Sequence, residues 1–198
     1  MNERIFPGLG EKIYEDTLPN GLRIKVVPKR GFARSYAFFA TDYGSMDTRF
    51  RLDGKNYVSP DGVAHYLEHK MFDMPDGNAL QKMSQTGASP NAFTSYNITA
   101  YHFSCTSMFE ENFRTLLRFV SQGYFTQESV EKERGIIAQE IKMYADNPAS
   151  RVDENLFCAM YRNHPVRVPV AGTVESIQDI TAQTLIDCHR AFYDPSNM

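Results

Sequence analysis

The stretch "SPDGVAHYLEHKMFDMPDG", residues 59–77, places His65, Glu68 and His69 within five positions. If these residues are helical, each one turns the side-chain direction by about 100°, so that the two histidines and the glutamate share one face. Two imidazoles one turn apart can bind a zinc ion, and a carboxylate between them can reach a water molecule on that ion. The glutamate precedes the second histidine, which is the inverse of the commoner His-Glu-x-x-His order.

The residues around this motif do predict a helix. Ser59 is a favourable N-cap, Pro60 suits a first turn, and the apolar pattern continues through Phe72 before "MPDG" ends it. A chance grouping on a buried helix remains an alternative at this point. A catalytic zinc ion needs a third protein ligand, which must come from elsewhere in the chain.

A pair of glutamates about seventy residues later is a candidate source. Glu133 and Glu140, in "VEKERGIIAQEI", are seven positions apart and therefore point the same way on a helix. Such a pair usually belongs to a solvated helix face. Ile136 and Ile137 lie near the same side, however, which indicates burial of the carboxylates against a positive charge such as a metal ion.

The composition restricts the class of protein. The chain has 198 residues, 42% hydrophobic residues and a net charge of -3, which predict one domain with a sizeable core and disfavour a nucleic-acid partner. Neither a leader peptide nor a membrane span is expected. Three widely separated cysteines, Cys105, Cys158 and Cys188, lack the spacing of a zinc site or a disulfide framework and predict a reduced, cytoplasmic protein.

Periodicity predicts an α+β fold. Alternating residues follow an Asn20-Gly21 turn, a hairpin arm is predicted in "ASPNAFTSYNITAYHFSCTS", and "SYAFFATDYGSMD" is apolar on both faces, which favours a central strand. Besides the motif helix, helices are predicted in "NALQKMSQTG", in "MFEENFRTLLRFVSQG", and over residues 127–146, 151–161 and 181–193.

Several stretches together resemble one known family. The segments "HYLEHKMF", "GASPNAFTSYNITAYHF", "VEKERGIIAQEIKMYADNP", "NHPVRVPVAGTVESI" and "FYDPSNM" are similar to the amino-terminal catalytic domain of the pitrilysin family, the inverzincin zinc metallopeptidases. This family includes insulysin and the mitochondrial processing peptidases. The resemblance implies a mostly antiparallel, mixed sheet with several helices packed on one face.

The resemblance also implies roles for particular residues. His65 and His69 would bind one zinc ion with Glu140 as third ligand, and Glu68 would activate the water. Glu133 would orient a zinc-binding histidine.

An edge strand is implied as well. Asn91, Ala92 and Phe93 match a family strand along which a peptide substrate is held in extended form. From the residues alone, Asn91 would be a turn residue and Phe93 a core residue.

The chain also departs from the family pattern. Family members contain at least two homologous domains that face each other across a chamber, whereas residues 1–198 carry one copy. The sequence stops at "YDPSNM", where the family pattern continues into an apolar strand. We therefore expect a single amino-terminal domain, a fragment without its final strand and without the homologous second domain or subunit that closes the chamber.

Three hypotheses for function follow. The first is a zinc-dependent endopeptidase or oligopeptidase acting on peptides or unfolded proteins. The second is a non-catalytic or partner subunit of a two-component peptidase assembly, although its usual mark, a damaged motif, is absent. The third is a zinc hydrolase of another bond on a related scaffold. No nucleic acid or membrane partner is expected.

Overall fold

The computed structural model describes residues 1–198 and has an α+β fold, as predicted. Six α-helices and ten β-strands alternate irregularly along the chain. The helices are α1 (Val63–Met71), α2 (Ala79–Gln85), α3 (Phe109–Ser121), α4 (Gln127–Ala145), α5 (Pro148–Met160) and α6 (Ala182–Phe192). The strands are β1 (Asn2–Phe6), β2 (Glu11–Thr17), β3 (Arg23–Val26), β4 (Ser35–Thr41), β5 (Arg49–Leu52), β6 (Lys55–Val58), β7 (Asp73–Met74), β8 (Gly77–Asn78), β9 (Ser89–Thr94) and β10 (Thr99–Cys105). None of the helices is both long and apolar enough to cross a membrane.

The sheet that supports the site has three antiparallel strands in the order β4-β10-β9. Tyr101 in the central strand lies opposite Phe39 of β4 and Ala92 of β9. Helices α1, α2 and α3 pack on one face of this sheet, where Tyr101 and Phe103 are fully buried. The predicted hairpin arm is therefore confirmed, and the helices lie on one face as expected.

The prediction that residues 35–41 form a central strand is wrong. Strand β4 pairs with β10 alone and forms one edge of its sheet. Its second apolar face carries Tyr36 and Phe38, and Phe38 is 48% exposed. These rings lie beside Phe93 and His102 on the face that no helix covers. An aromatic cluster on an open face thus produced a pattern that resembles full burial.

The motif helix begins at Val63, three residues later than Ser59 and Pro60 indicated, because the residues before it make other contacts. The backbone N–H of Ser59 donates to Thr48 O at 2.8 Å, next to the β5–β6 hairpin. Gly62 then adopts φ 91°, and a Cβ there would come within 2.4 Å of the carbonyl oxygen of Ala171. Only glycine fits such a left-handed turn at close approach. The predicted end is confirmed, since α1 stops at Met71.

Helix α1 lies in the centre of the molecule. Eight of its nine residues are buried, His69 being the exception. It contacts β9 and β10 of the sheet, and also α4 and α6. The hydroxyl of Tyr66 donates to the carbonyl oxygen of Val130 and so fixes α1 to α4. This contact between helices places the two halves of the sequence motif next to each other.

The burial that Ile136 and Ile137 indicated for this side of α4 is only partly correct. Val130 and Ile137 are fully buried, whereas Ile136 is 52% exposed and Tyr144 is exposed too. The bounds of α4, α5 and α6 agree with the predicted helices to within three residues at each end.

At the end of the chain, Asn197 O accepts from Asp42 N at 3.0 Å, so these last residues lie beside β4. The expected further strand stays a prediction.

Candidate metal centre

The side chains of His65, His69 and Glu140 converge on one point. Their potential ligand atoms all lie within 4.8 Å of one another. His65 Nε2 is 3.7 Å from Glu140 Oε1, and His69 Nε2 is 3.3 Å from Glu140 Oε2. The two histidines come from one face of α1 and the glutamate from α4. The structure therefore brings together the three residues that the sequence predicted as ligands.

This donor set fits a zinc ion. Two ligands at the usual zinc distances of about 2.0–2.2 Å in a tetrahedral arrangement are about 3.4 Å apart, close to the two measured separations. Two imidazole nitrogens and one carboxylate are a ligand set of known catalytic zinc sites and leave a fourth position for water or substrate. The Nδ1 atom of His65 is buried without a hydrogen-bond partner, so Nε2 is the atom that faces the other donors.

Glu133 is half-buried and lies behind the cluster. Its Oε1 atom is 3.0 Å from Nδ1 of His69, on the side of the ring opposite to Nε2. A carboxylate in this place selects the tautomer that leaves Nε2 free for a metal. The seven-residue spacing of Glu133 and Glu140 thus directs one carboxylate to each nitrogen of the same imidazole.

Glu68 is buried between the cluster and the sheet. The hydroxyl of Thr94, the last residue of β9, donates to Glu68 Oε2 at 3.0 Å. The sequence indicated no role for Thr94, because its contact with Glu68 joins residues 26 positions apart. The hydrogen bond orients one carboxylate oxygen.

The edge strand β9 forms one wall of a cleft of about 710 Å³ that contains the cluster. Asn91 and Phe93 are exposed on one face of β9, while Ala92 is half-buried on the other. The strand is hydrogen-bonded to β10 on one side only. Because Phe93 is exposed, it is not a core residue, contrary to what its residue type alone suggested.

Further cleft residues were missing from the sequence prediction. Tyr144 follows Glu140 by one helical turn, and this spacing could have identified it. Tyr96, Asp153 and Glu154 reach the cleft from the loop after β9 and from α5, where no sequence pattern connects them with the motif.

Comparison with known proteins agrees with this geometry. A model of the insulinase peptidases, family M16, matches residues 54–174 and so includes all four residues of the predicted catalytic centre. The chain belongs to the M16 peptidase family.

Individual M16 relatives are similar over most of the chain. It is 53% identical over 192 residues to the uncharacterized zinc protease YmfH of Bacillus subtilis, a match that covers 96% of this chain and 45% of that protein. It is 28% identical over 174 residues to the mitochondrial-processing peptidase subunit beta of Caenorhabditis elegans, covering 85% of this chain and 36% of the relative.

A solved M16 structure has the same fold. A protein described as an M16-like peptidase from Alicyclobacillus acidocaldarius superposes with a TM-score of 0.91 at 46% identity, over 94% of this chain and 44% of that one. The chain thus spans less than half the length of the M16 proteins that it matches.

In the absence of a metal ion, burial and neighbouring charges shift the pKa values of the glutamates in the M16 site. Burial raises the pKa of Glu68, and the nearby imidazoles of His65 and His69 only partly offset this effect. The neighbouring imidazole of His65 is the main cause that lowers the pKa of Glu140, and the hydrogen bond with His69 is the main cause that lowers the pKa of Glu133. These two carboxylates are therefore ionised at neutral pH.

His69 responds in the opposite direction. Burial by itself would lower its pKa, but the hydrogen bond to Glu133 and the charges of Glu68 and Glu140 outweigh burial and raise it. The cluster as a whole attracts positive charge, either a proton on His69 or a metal cation.

Proposed function

We propose that this chain is the catalytic domain of a zinc-dependent peptidase, with His65, His69 and Glu140 as zinc ligands and Glu68 as general base. The observation that carries the proposal is the convergence of two imidazoles and a carboxylate, with atoms within 4.8 Å, next to a buried glutamate in one cleft. The location expected from three unpaired cysteines, the cytoplasm, is part of the same proposal.

Glu68 and Thr94 each have a chemical task in this mechanism. A bound zinc ion would lower the pKa of a water molecule and polarise the scissile carbonyl group. Glu68 accepts the proton of the attacking water and then donates it to the amine nitrogen of the leaving group. The pKa of Glu68, raised by burial, makes it a stronger base than an exposed glutamate. Thr94 holds Oε2 of Glu68, so Oε1 remains available for proton transfer.

The substrate that suits this cleft is an extended peptide segment. Residues Asn91–Phe93 lie on β9. The outer edge of this strand has unpaired backbone groups beside the cluster of proposed zinc ligands. A peptide that adds to this edge as a further strand is held by its backbone, which permits many side-chain sequences. Short peptides and unfolded proteins offer such an extended segment. Hydrolysis of peptide bonds is therefore favoured over that of another bond.

A second homologous domain or subunit is proposed to complete the active enzyme. The chain spans 45% of YmfH and 44% of the Alicyclobacillus protein. The cleft of about 710 Å³ is open in this domain, and a second domain across it would enclose the substrate. A purely non-catalytic subunit is the alternative role, but the complete set of His65, Glu68, His69 and Glu140 favours catalysis.

The test compares Glu68→Gln with the unchanged protein, using the chain and any longer polypeptide that contains it. Metal analysis should give one zinc ion per chain for both proteins. Cleavage of a mixed peptide library by Glu68→Gln should fall about 10²- to 10⁴-fold, because the general base is lost. Glu131→Gln is the matched control, an exposed glutamate of the same helix as Glu140, and should leave both quantities unchanged.

Two results would contradict the proposal. Undiminished cleavage by Glu68→Gln would remove Glu68 from the mechanism. Stoichiometric zinc in each of His65→Ala, His69→Ala and Glu140→Ala would remove the ligand assignment.

A further inference from the structure

Lys70 is a buried cation directly after the second histidine of the motif. Its side chain is 2% exposed, which makes it one of the largest fully buried side chains in the molecule. A lysine is rarely buried to this extent unless its charge is paired, because removal of an ammonium group from water is costly. The charge of Lys70 must therefore be paired inside the protein.

Two carboxylates face the ammonium group. Lys70 Nζ donates to Asp73 Oδ2 at the start of β7, and it lies 3.9 Å from Oε2 of Glu133. The other oxygen of Glu133, Oε1, is the one 3.0 Å from Nδ1 of His69. The Glu133 carboxylate is thus held between a buried ammonium group and the imidazole of a proposed zinc ligand.

This geometry restricts the rotation of Glu133. A carboxylate that touches only His69 could turn about its last torsion angle and lose the line to Nδ1, because such terminal torsions are broad. A positive charge on the far oxygen opposes that rotation and favours the ionised form. Asp73 is half-buried at the start of β7, and its ion pair with Lys70 holds the ammonium group in place.

We propose that Lys70 is a positioning residue that fixes the Glu133 carboxylate against His69 and thereby strengthens zinc binding by the His65–His69–Glu140 cluster. The inference rests on the proposed function for the identity of the metal ion, but not for peptide cleavage. Loss of a group that orients a zinc-binding histidine typically weakens metal affinity by about 10- to 100-fold. Lys70 acts one step further away, so an effect of about 10-fold is expected.

The experiment measures zinc affinity by competition with a chromogenic chelator, for the unchanged protein and for Lys70→Met. Methionine keeps most of the volume of lysine without its charge. Lys82→Met is the matched control, since Lys82 also pairs with an aspartate, Asp76 at 2.7 Å, but does not face Glu133. Zinc affinity should fall about 10-fold in Lys70→Met and stay unchanged in Lys82→Met.

A double-mutant cycle separates positioning from a merely structural role. In the Glu133→Gln background, Lys70→Met should cause no further loss of zinc affinity, because the carboxylate that it positions is already gone. An equal loss in both backgrounds, or no loss in either, would overturn the proposal. If Lys70→Met fails to fold, Lys70→Gln, which retains a polar group beside Asp73, replaces it in the same cycle.

The outcome is distinguishable from failure of the proposed function. A protein that binds zinc and obeys the cycle but cleaves no peptide would contradict the peptidase proposal alone. A protein that binds no zinc would contradict both.

Discussion

Helices α1 and α5 border the same cleft but are embedded in the protein in very different ways. Eight of the nine residues of α1 are buried, whereas none of the thirteen residues of α5 is. Helix α1 supplies His65, Glu68 and His69, and α5 supplies only wall residues such as Glu154. Packing on every side leaves a side chain few alternative rotamers, which is what a metal site needs. The geometry of the centre should therefore depend on α1 and its neighbours, and little on α5.

Local interactions explain how α5 persists without a buried face. Asn147 caps its first turn by accepting from Ala149 N at 2.9 Å, and Pro148 follows at the first helical position. Its residues Val152, Leu156 and Met160 recur at four-residue spacing and are all exposed. None of the residues of α5 belongs to the hydrophobic core.

The largest expected difference is in metal binding. Glu140→Ala should weaken zinc binding by roughly 100- to 1000-fold, because structural zinc sites with four protein ligands bind with about 10–16 kcal/mol, or about 2.5–4 kcal/mol per ligand. Glu154→Ala, a carboxylate of α5 in the same cleft, should leave zinc affinity within about twofold of the unchanged value. Competition with a chelator measures both. A comparable loss in the two variants would break the distinction between the centre and its wall.

Stability should differ almost as strongly between the two helices. Leu67→Ala on α1 removes a side chain that is 0% exposed and should lower the free energy of unfolding by about 2–5 kcal/mol. Leu156→Ala on α5 removes one that is 49% exposed and should change it by less than about 0.5 kcal/mol. Urea unfolding of the zinc-free proteins checks this, and similar losses would show that α5 is a structural part of the core.

The pH dependence of zinc binding sharpens the electrostatic side of the comparison. Because the pKa of His69 is raised in the zinc-free protein, zinc must displace a proton from it at a higher pH than from an ordinary imidazole. Below that pKa, affinity should fall about tenfold per pH unit for the one proton displaced. In Glu133→Gln the fall should begin at a lower pH, since the main group that raises the pKa is removed. An identical onset in both proteins, measured by chelator competition, would contradict this account.

The smallest expected effect concerns the hydrogen bond between β9 and α1. Thr94→Val removes the donor to Glu68 Oε2 and should lower kcat about 2- to 10-fold, the value of one hydrogen bond. Zinc affinity should not change, and Thr94→Ser should restore kcat because it keeps the hydroxyl. A loss that Thr94→Ser shares would point to packing of the methyl group instead.

The sequence predicted the centre better than its surroundings. The four-residue spacing of His65 and His69 and the seven-residue spacing of Glu133 and Glu140 fix which side chains share a face, since helix geometry is local. The local capping signals Ser59 and Pro60, in contrast, placed the start of α1 incorrectly. There a contact between Gly62 and Ala171, 109 positions apart, decided where the helix could begin.

The sequence by itself determined the helical faces, the hairpin and the family resemblance, because each depends on residues close together in the chain or on a recognisable motif. Only the tertiary structure decided that Thr94 reaches Glu68, that Lys70 faces Glu133, and that β4 lies at an edge with exposed aromatic rings. Those contacts join residues distant along the chain, and packing between elements sets them. No local periodicity records that packing.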